Sequence, residues 1–184
     1  MCARVWLRAQ IATAFRQYYY STEDTDWLRS VGFPVMDGIA EYYASRFQPG
    51  PDGRLHIYST TGPDEYNSNV SDSTYGSAAG IVALRSAFEL AARAKAAPNA
   101  TYQAIAARVY LPYDAKRDYH PEFAGWNTST KGGLIKQSDT VLMQYPLAYQ
   151  PMNLSTRRND MRIYDAATDV HGETNKTASL FHPV

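Results

Sequence analysis

The chain has 184 residues, 45% of them hydrophobic and 20% charged, which is enough to bury the core of a folded domain. Eighteen basic and eighteen acidic residues give zero net charge, so there is no electrostatic reason to expect nucleic acid or an anionic membrane as a partner. No apolar run approaches the roughly 18 residues of a membrane-spanning helix. Cys2 is the only cysteine, and the four histidines lack metal-ligand spacing, so we expect neither a metal nor another cofactor.

Apolar spacing and turn residues predict five helices and one short strand. In chain order, helices are predicted over 5–20 and 26–46, a strand over 55–59, and helices over 77–97, 102–109 and 155–167. The apolar stripe of the first helix includes Leu7, Ile11 and Tyr18, and Pro34 is predicted to kink the second helix. Long polar loops are predicted over 60–73 and 114–133. The pattern therefore indicates an all-α fold with long loops and at most a short strand.

The asparagines are concentrated in glycosylation acceptor triplets. The chain has seven asparagines, and five of them begin an N-x-S/T triplet: Asn69, Asn99, Asn127, Asn153 and Asn175. Turn chemistry offers a simpler explanation, because Asn, Ser and Thr all favour loops. The triplets function as acceptors only in secreted proteins. We therefore expect a glycoprotein of the secretory route, in an extracellular, vacuolar or lysosomal setting.

Two adjacent acids, Asp64 and Glu65, lie in the predicted loop, just after Gly62 and Pro63. Neighbouring carboxyl groups in a folded loop often differ in environment, so that one is ionised and the other is desolvated and protonated. A protonated carboxylic acid is what glycoside cleavage requires. Taken alone, the motif is better explained as a common turn that leads into a helix.

A second polar pair, Lys136 and Gln137, lies inside an apolar stretch. Together these side chains offer several hydrogen-bond donors and one acceptor, which suits the hydroxyl groups of a sugar. The alternative is a solvated helix start with no ligand.

Several motifs together resemble one family. In chain order they are Trp27–Val35 with Gly38–Arg46, Gly62–Tyr66, Tyr119–Phe123, Ile135–Met143 with Tyr145–Leu147, and Arg157–Asn159. They resemble glycoside hydrolase family 65, which contains acid trehalases and the maltose and kojibiose phosphorylases. The motifs are most similar to those of the hydrolase members, which include acid trehalases and glucosidases of glucosylgalactosylhydroxylysine.

The resemblance implies a fold, a reaction and site residues. The fold is an (α/α)6 barrel, of which residues 1–184 form a fragment of the catalytic domain. The reaction is inverting hydrolysis of α-glucosides, with Glu65 as the general acid and Lys136 and Gln137 in contact with the glucosyl unit. A second glutamate, placed by the family pattern after this chain, activates water. Phosphorolysis and a non-catalytic sugar-binding module stay open as alternatives. The expected partner is a carbohydrate, and the sequence leaves the oligomeric state open.

Overall fold

The computed structural model describes residues 4–128, 133–137, 139–150 and 152–169. It confirms a mostly helical fold with long loops. The helices are α1 (Trp6–Thr22), α2 (Thr25–Trp27), α3 (Phe33–Arg46), α4 (Thr74–Ala91), α5 (Ala100–Ala106) and α6 (Leu154–Ala167). A π-helical turn, Leu28–Gly32, joins α2 to α3, and a 3₁₀ turn spans Thr140–Met143. In place of the single predicted strand there is a hairpin of two short strands, β1 (Gln48–Pro49) and β2 (Leu55–His56).

The chain divides into two compact units. The helical unit consists of Trp6–Ile57 and Ser77–Tyr110, and the loop-rich unit consists of Met1–Val5, Tyr58–Gly76 and Leu111–Val184. Within the described ranges, no helix is long and apolar enough to cross a membrane.

The helical unit has an apolar core in which Leu28, Met36 and Leu84 are fully buried. The prediction for helix α1 was wrong about its buried face, because Leu7, Ile11 and Tyr18 are all about half exposed. The buried residues of this helix are Ala9, Ala12, Thr13 and Tyr19. Most of these side chains are small, and the periodicity of bulky residues cannot identify a face that packs through small ones.

The predicted second helix is interrupted in the region of Pro34. The backbone N–H of Phe33 donates to the carbonyl oxygen of Leu28, which gives the wider hydrogen-bonded turn of a π-helix. Proline has no N–H to donate, so a regular ladder cannot continue unchanged through this position. A π-helical turn therefore lies just before Pro34, where the sequence predicted a kink.

Helix α4 begins and ends earlier than predicted. Its last turn is closed by a hydrogen bond from the N–H of Ala96 to the carbonyl oxygen of Ala91, with Lys95 in the left-handed conformation at a φ of 59°. This is the hydrogen-bonding pattern of a Schellman cap, which usually contains glycine. The alanine-rich sequence through Ala97 contains no such glycine and so gave no signal for the end of the helix.

The loop-rich unit has its own apolar cluster. The cluster consists of Tyr119, Trp126, Ile135, Val141, Tyr164 and Ala167. The rings of Trp126 and Tyr164 stack with their centroids 5.2 Å apart. Ile135 also pairs through its backbone with the end of α6, where its N–H donates to the carbonyl oxygen of Ala167. This pairing fixes the start of the segment that continues into Lys136 and Gln137.

Candidate functional site

The loop that carries the two adjacent acids is closed at its base. The backbone groups of Thr60 and Val70 exchange two hydrogen bonds, so the ends of this 60–70 loop lie side by side. Compact loops with adjoining ends pack through their own side chains and frequently carry function. The closure brings the acids to a defined place in the loop-rich unit.

The two adjacent carboxyl groups have opposite environments. Asp64 has 0% of its surface exposed, whereas the side chain of Glu65 is 38% exposed. Burial is the main cause that raises the pKa of Asp64, and its hydrogen bonds from backbone N–H groups act against that rise. Glu65 is therefore the member of the pair that can reach a ligand.

Asp64 joins two distant segments of the chain. Its Oδ1 atom accepts hydrogen bonds from the backbone N–H groups of Tyr66, Lys136 and Gln137, at 3.2, 3.0 and 3.4 Å. Its own N–H donates to Oδ2 of Asp139 at 3.2 Å. The acid loop and the Lys136–Gln137 segment thus share one buried carboxylate.

The three residues predicted for the site, Glu65, Lys136 and Gln137, lie together. Lys136 Nζ is 3.3 Å from Glu65 Oε2, and the N–H of Glu65 donates to Gln137 Oε1 at 3.1 Å. Arg4 Nη2 contacts the other carboxylate oxygen of Glu65 at 3.0 Å. A hydrogen bond from Gln137 and the hydrogen bond and charge of Lys136 lower the pKa of Glu65. In this state Glu65 is an ion-paired carboxylate.

Two further buried acids contact residues of the 60–70 loop, and neither was predicted as a site residue. Glu122 is 2% exposed and Asp139 is 0% exposed. Burial is the largest cause that raises the pKa of both carboxyl groups, and the neighbouring acids raise them further. Asn67 Nδ2 bridges Glu122 Oε2 at 3.3 Å and Asp64 Oδ2 at 3.4 Å. For Asp139 the sequence did offer a signal, because this residue is an acid inside an apolar stretch. A buried acid requires a partner.

A second network supports the segment that bears Lys136 and Gln137. Tyr164 Oη lies 2.6 Å from Thr140 Oγ1 and 3.2 Å from the carbonyl oxygen of His120. Asp160 accepts a hydrogen bond from the N–H of His120 at 2.7 Å and lies 3.0 Å from its Nδ1 atom. These contacts connect α6 to His120 and to Thr140, which come before and after Lys136 and Gln137 in the sequence. In the part of the chain that the structure describes, no group of three or more metal-ligating side chains is arranged to hold a metal ion.

A match to a known family model identifies the family of this chain. Residues 2–131 match the model of the glycosyl hydrolase family 65 central catalytic domain. The chain belongs to glycoside hydrolase family 65. This membership confirms the resemblance found in the sequence.

Individual family 65 relatives match with different coverage. Protein-glucosylgalactosylhydroxylysine glucosidase of Danio rerio is 36% identical over 168 residues, which cover 90% of this chain and 25% of the relative. Periplasmic acid trehalase of Saccharomyces cerevisiae is 24% identical over 127 residues, which cover 68% of this chain and 10% of the relative. The chain therefore spans about a quarter of the glucosidase and a tenth of the trehalase.

A solved structure confirms the fold prediction. A protein assigned as a kojibiose phosphorylase, from the human microbiome, superposes with a TM-score of 0.73 at 15% sequence identity. The match covers 89% of this chain and 30% of that protein. The fold is thus that of part of a family 65 (α/α)6 barrel.

Proposed function

We propose that this chain supplies the proton donor and part of the glucosyl-binding site of an inverting α-glucoside hydrolase. Glu65 is the general acid, and Lys136 and Gln137 bind the glucosyl unit. The observation that carries the proposal is that both other residues meet at the exposed Glu65: Lys136 Nζ contacts its carboxylate, and Gln137 Oε1 accepts its backbone N–H. Asp64 cannot be the donor, because it is fully buried and cannot touch a substrate.

The pKa of Glu65 is lowered because Gln137 and Lys136 favour the ionised form of its carboxylate. A bound glucosyl unit takes hydrogen bonds from these two residues and excludes water from Glu65. Both changes disfavour the charged form and raise the pKa of Glu65, which prepares it to protonate the glycosidic oxygen.

Inverting hydrolysis needs a base in addition to the acid. The two carboxyl groups of inverting glycosidases are about 6.5–9.5 Å apart, with a water between them. Asp64, Glu122 and Asp139 are all buried, so none of them can activate a water at the substrate. We assign the base role to no described residue of this chain. The activity accordingly belongs to the intact enzyme, with residues 1–184 forming part of its catalytic domain.

The proposed substrate is an α-glucoside, and the proposed setting is the secretory route. The relatives' names include a glucosidase of glucosylgalactosylhydroxylysine and a periplasmic trehalase. The acceptor asparagines that the structure describes, Asn69, Asn99, Asn127 and Asn153, are all exposed, as attachment of a glycan requires. Asn175 lies outside the described residues.

The test is hydrolysis by the full-length gene product. We would supply α,α-trehalose, kojibiose and a glucosyl-α-galactoside, with and without inorganic phosphate, and follow the sugar products by proton NMR. We expect phosphate-independent release of β-glucose. The substitution Glu65→Gln should lower kcat by about 10³-fold, within the range of general acid catalysis.

Glu89→Gln is the matched control, because Glu89 is an exposed glutamate of the helical unit. It should leave kcat unchanged. Full activity in Glu65→Gln would remove Glu65 from the role of acid. Formation of glucose 1-phosphate only in the presence of phosphate would identify a phosphorylase, and sugar binding without turnover would identify a binding module.

A further inference from the structure

The side chain of Asp64 accepts more hydrogen bonds from backbone N–H groups than the side chain of a simple turn residue does. One of its oxygens accepts from three N–H groups, two of which belong to residues more than 70 positions further along the chain. We propose that Asp64 is a positioning residue whose buried carboxylate holds Glu65 in register with Lys136 and Gln137. This inference rests on the proposed function, since it assigns Asp64 a part in the same reaction.

The geometry explains how one carboxylate sets the site. The N–H groups that Asp64 binds belong to the residue after Glu65 and to the two residues whose side chains contact Glu65. Holding these three groups on a single oxygen fixes the spacing of the two backbones. The remaining contacts follow from that spacing: the N–H of Glu65 meets Gln137 Oε1, and Lys136 Nζ meets the Glu65 carboxylate.

Asp64 is itself held in place by hydrogen bonds with two other polar residues. Asp139 accepts the hydrogen bond from its N–H, and Asn67 reaches its second oxygen, Oδ2. Asn67 also contacts Glu122, which links the Asp64 carboxylate to a third segment of the chain. Hydrogen bonds to both of its oxygens restrict the rotation of the Asp64 carboxylate. The binding geometry is therefore formed before a sugar arrives, which lowers the entropic cost of the reaction.

The role predicts a specific pattern in variants of the full-length gene product. In Asp64→Ala the three N–H groups lose their acceptor, and Lys136 and Gln137 are released from Glu65. We expect kcat to fall by about 100-fold, because a shift of about 1 Å in a catalytic group has that effect. We also expect the alkaline limb of the kcat/KM profile to move to higher pH, because this limb reports the free-enzyme pKa of Glu65.

Asp64→Asn tests the same role with less disturbance. Its amide oxygen still accepts the three hydrogen bonds but carries no charge, so activity should return to within about tenfold of the wild type. The alkaline limb should lie between those of the wild type and Asp64→Ala. This variant also keeps the inference testable if Asp64→Ala does not fold.

Asp114→Ala is the matched control, because Asp114 Oδ1 also accepts two backbone N–H groups, those of Lys116 and Arg117, which are not residues of the site. It should lower the melting temperature while leaving kcat per folded molecule and the pH profile unchanged. If Asp64→Ala folds and keeps the wild-type kcat and alkaline limb, the positioning role is wrong, and an inactive Glu65→Gln still supports the proposed function. An equal shift of the limb in Asp114→Ala would also overturn the positioning role. Full activity of Glu65→Gln would instead overturn the proposed function.

Discussion

The two units of the chain bury different kinds of side chain. The buried polar residues described in the helical unit are Thr13, Ser77 and Ser86. The described part of the loop-rich unit buries five carboxyl groups: Asp64, Asp72, Glu122, Asp139 and Asp160. Apolar packing tolerates changes of shape, whereas a buried polar group requires partners in a defined geometry. The helical unit is therefore built for packing, and the loop-rich unit for the exact placement of a few groups.

The largest expected difference between the units is in the pH dependence of their stability. Burial raises the pKa of Asp64, Glu122 and Asp139 in the folded loop-rich unit. Their contribution to stability is complete below the ordinary pKa near 4 and is lost as pH rises toward the raised folded values. The free energy of unfolding should fall by about 1 kcal/mol per pH unit for each of these groups that remains protonated when folded.

Hydrogen exchange measured by mass spectrometry between pH 4 and 7, corrected for intrinsic rates, can follow the two units separately. We expect protection in the loop-rich unit to decline as pH rises, while protection in the helical unit changes little. The double variant Glu122→Gln and Asp139→Asn replaces two acids with neutral amides of similar size, so it should flatten the decline. An equal decline in both units, or the same slope in the double variant, would contradict this explanation.

The same contrast explains which features the sequence could predict. Helices α4 and α6 follow from apolar spacing that local interactions and burial both favour. Glu65, Lys136 and Gln137 were predicted as site residues from their motifs, and the structure brings them together, although their residue types alone left alternatives open. The sequence did not identify the buried partners. Burial of an acid depends on contacts with residues far along the chain, and no local pattern records those contacts.

The second prediction compares two glycines, one in each unit. A Cβ atom at Gly62 would overlap the Asp139 carboxylate, whereas one at Gly80 would lie 2.6 Å from Tyr43 Cδ1 and 2.7 Å from Phe47 Cζ. Each substitution by alanine should destabilise its unit by about 1–3 kcal/mol through overpacking. The loss at Gly80 should be the smaller, because alanine also favours the helix by about 1 kcal/mol.

The two alanine variants should differ in activity as well. Gly62→Ala displaces the carboxylate that binds the N–H of Asp64, so it should lower kcat of the full-length gene product by about tenfold or more. Gly80→Ala should leave kcat per folded molecule unchanged. Melting temperatures and kcat values of both variants give the comparison. A loss of activity in Gly80→Ala as large as that in Gly62→Ala would show that the units do not divide stability and site geometry in this way.

The smallest expected effect concerns two helix caps, again one in each unit. Asn99 caps α5 by accepting the N–H of Thr101, and Asn153 caps α6 by accepting the N–H of Thr156 at 2.8 Å. Loss of such a cap costs about 1 kcal/mol. Asn153→Ala should cost more than Asn99→Ala, because Asn153 Oδ1 also lies 2.7 Å from the hydroxyl oxygen of Ser155 and 2.9 Å from that of Thr156.

Both caps also begin N-x-S/T triplets, so the protein should be produced in a host that attaches no N-glycans. Urea unfolding then measures the loss of the cap alone. Equal losses would mean that the extra hydroxyl contacts of Asn153 contribute nothing, and that the polar groups of the loop-rich unit stabilise it no more than a single cap does in the helical unit. A larger loss at Asn153 would extend the difference between the units from buried carboxyl groups to an exposed polar side chain.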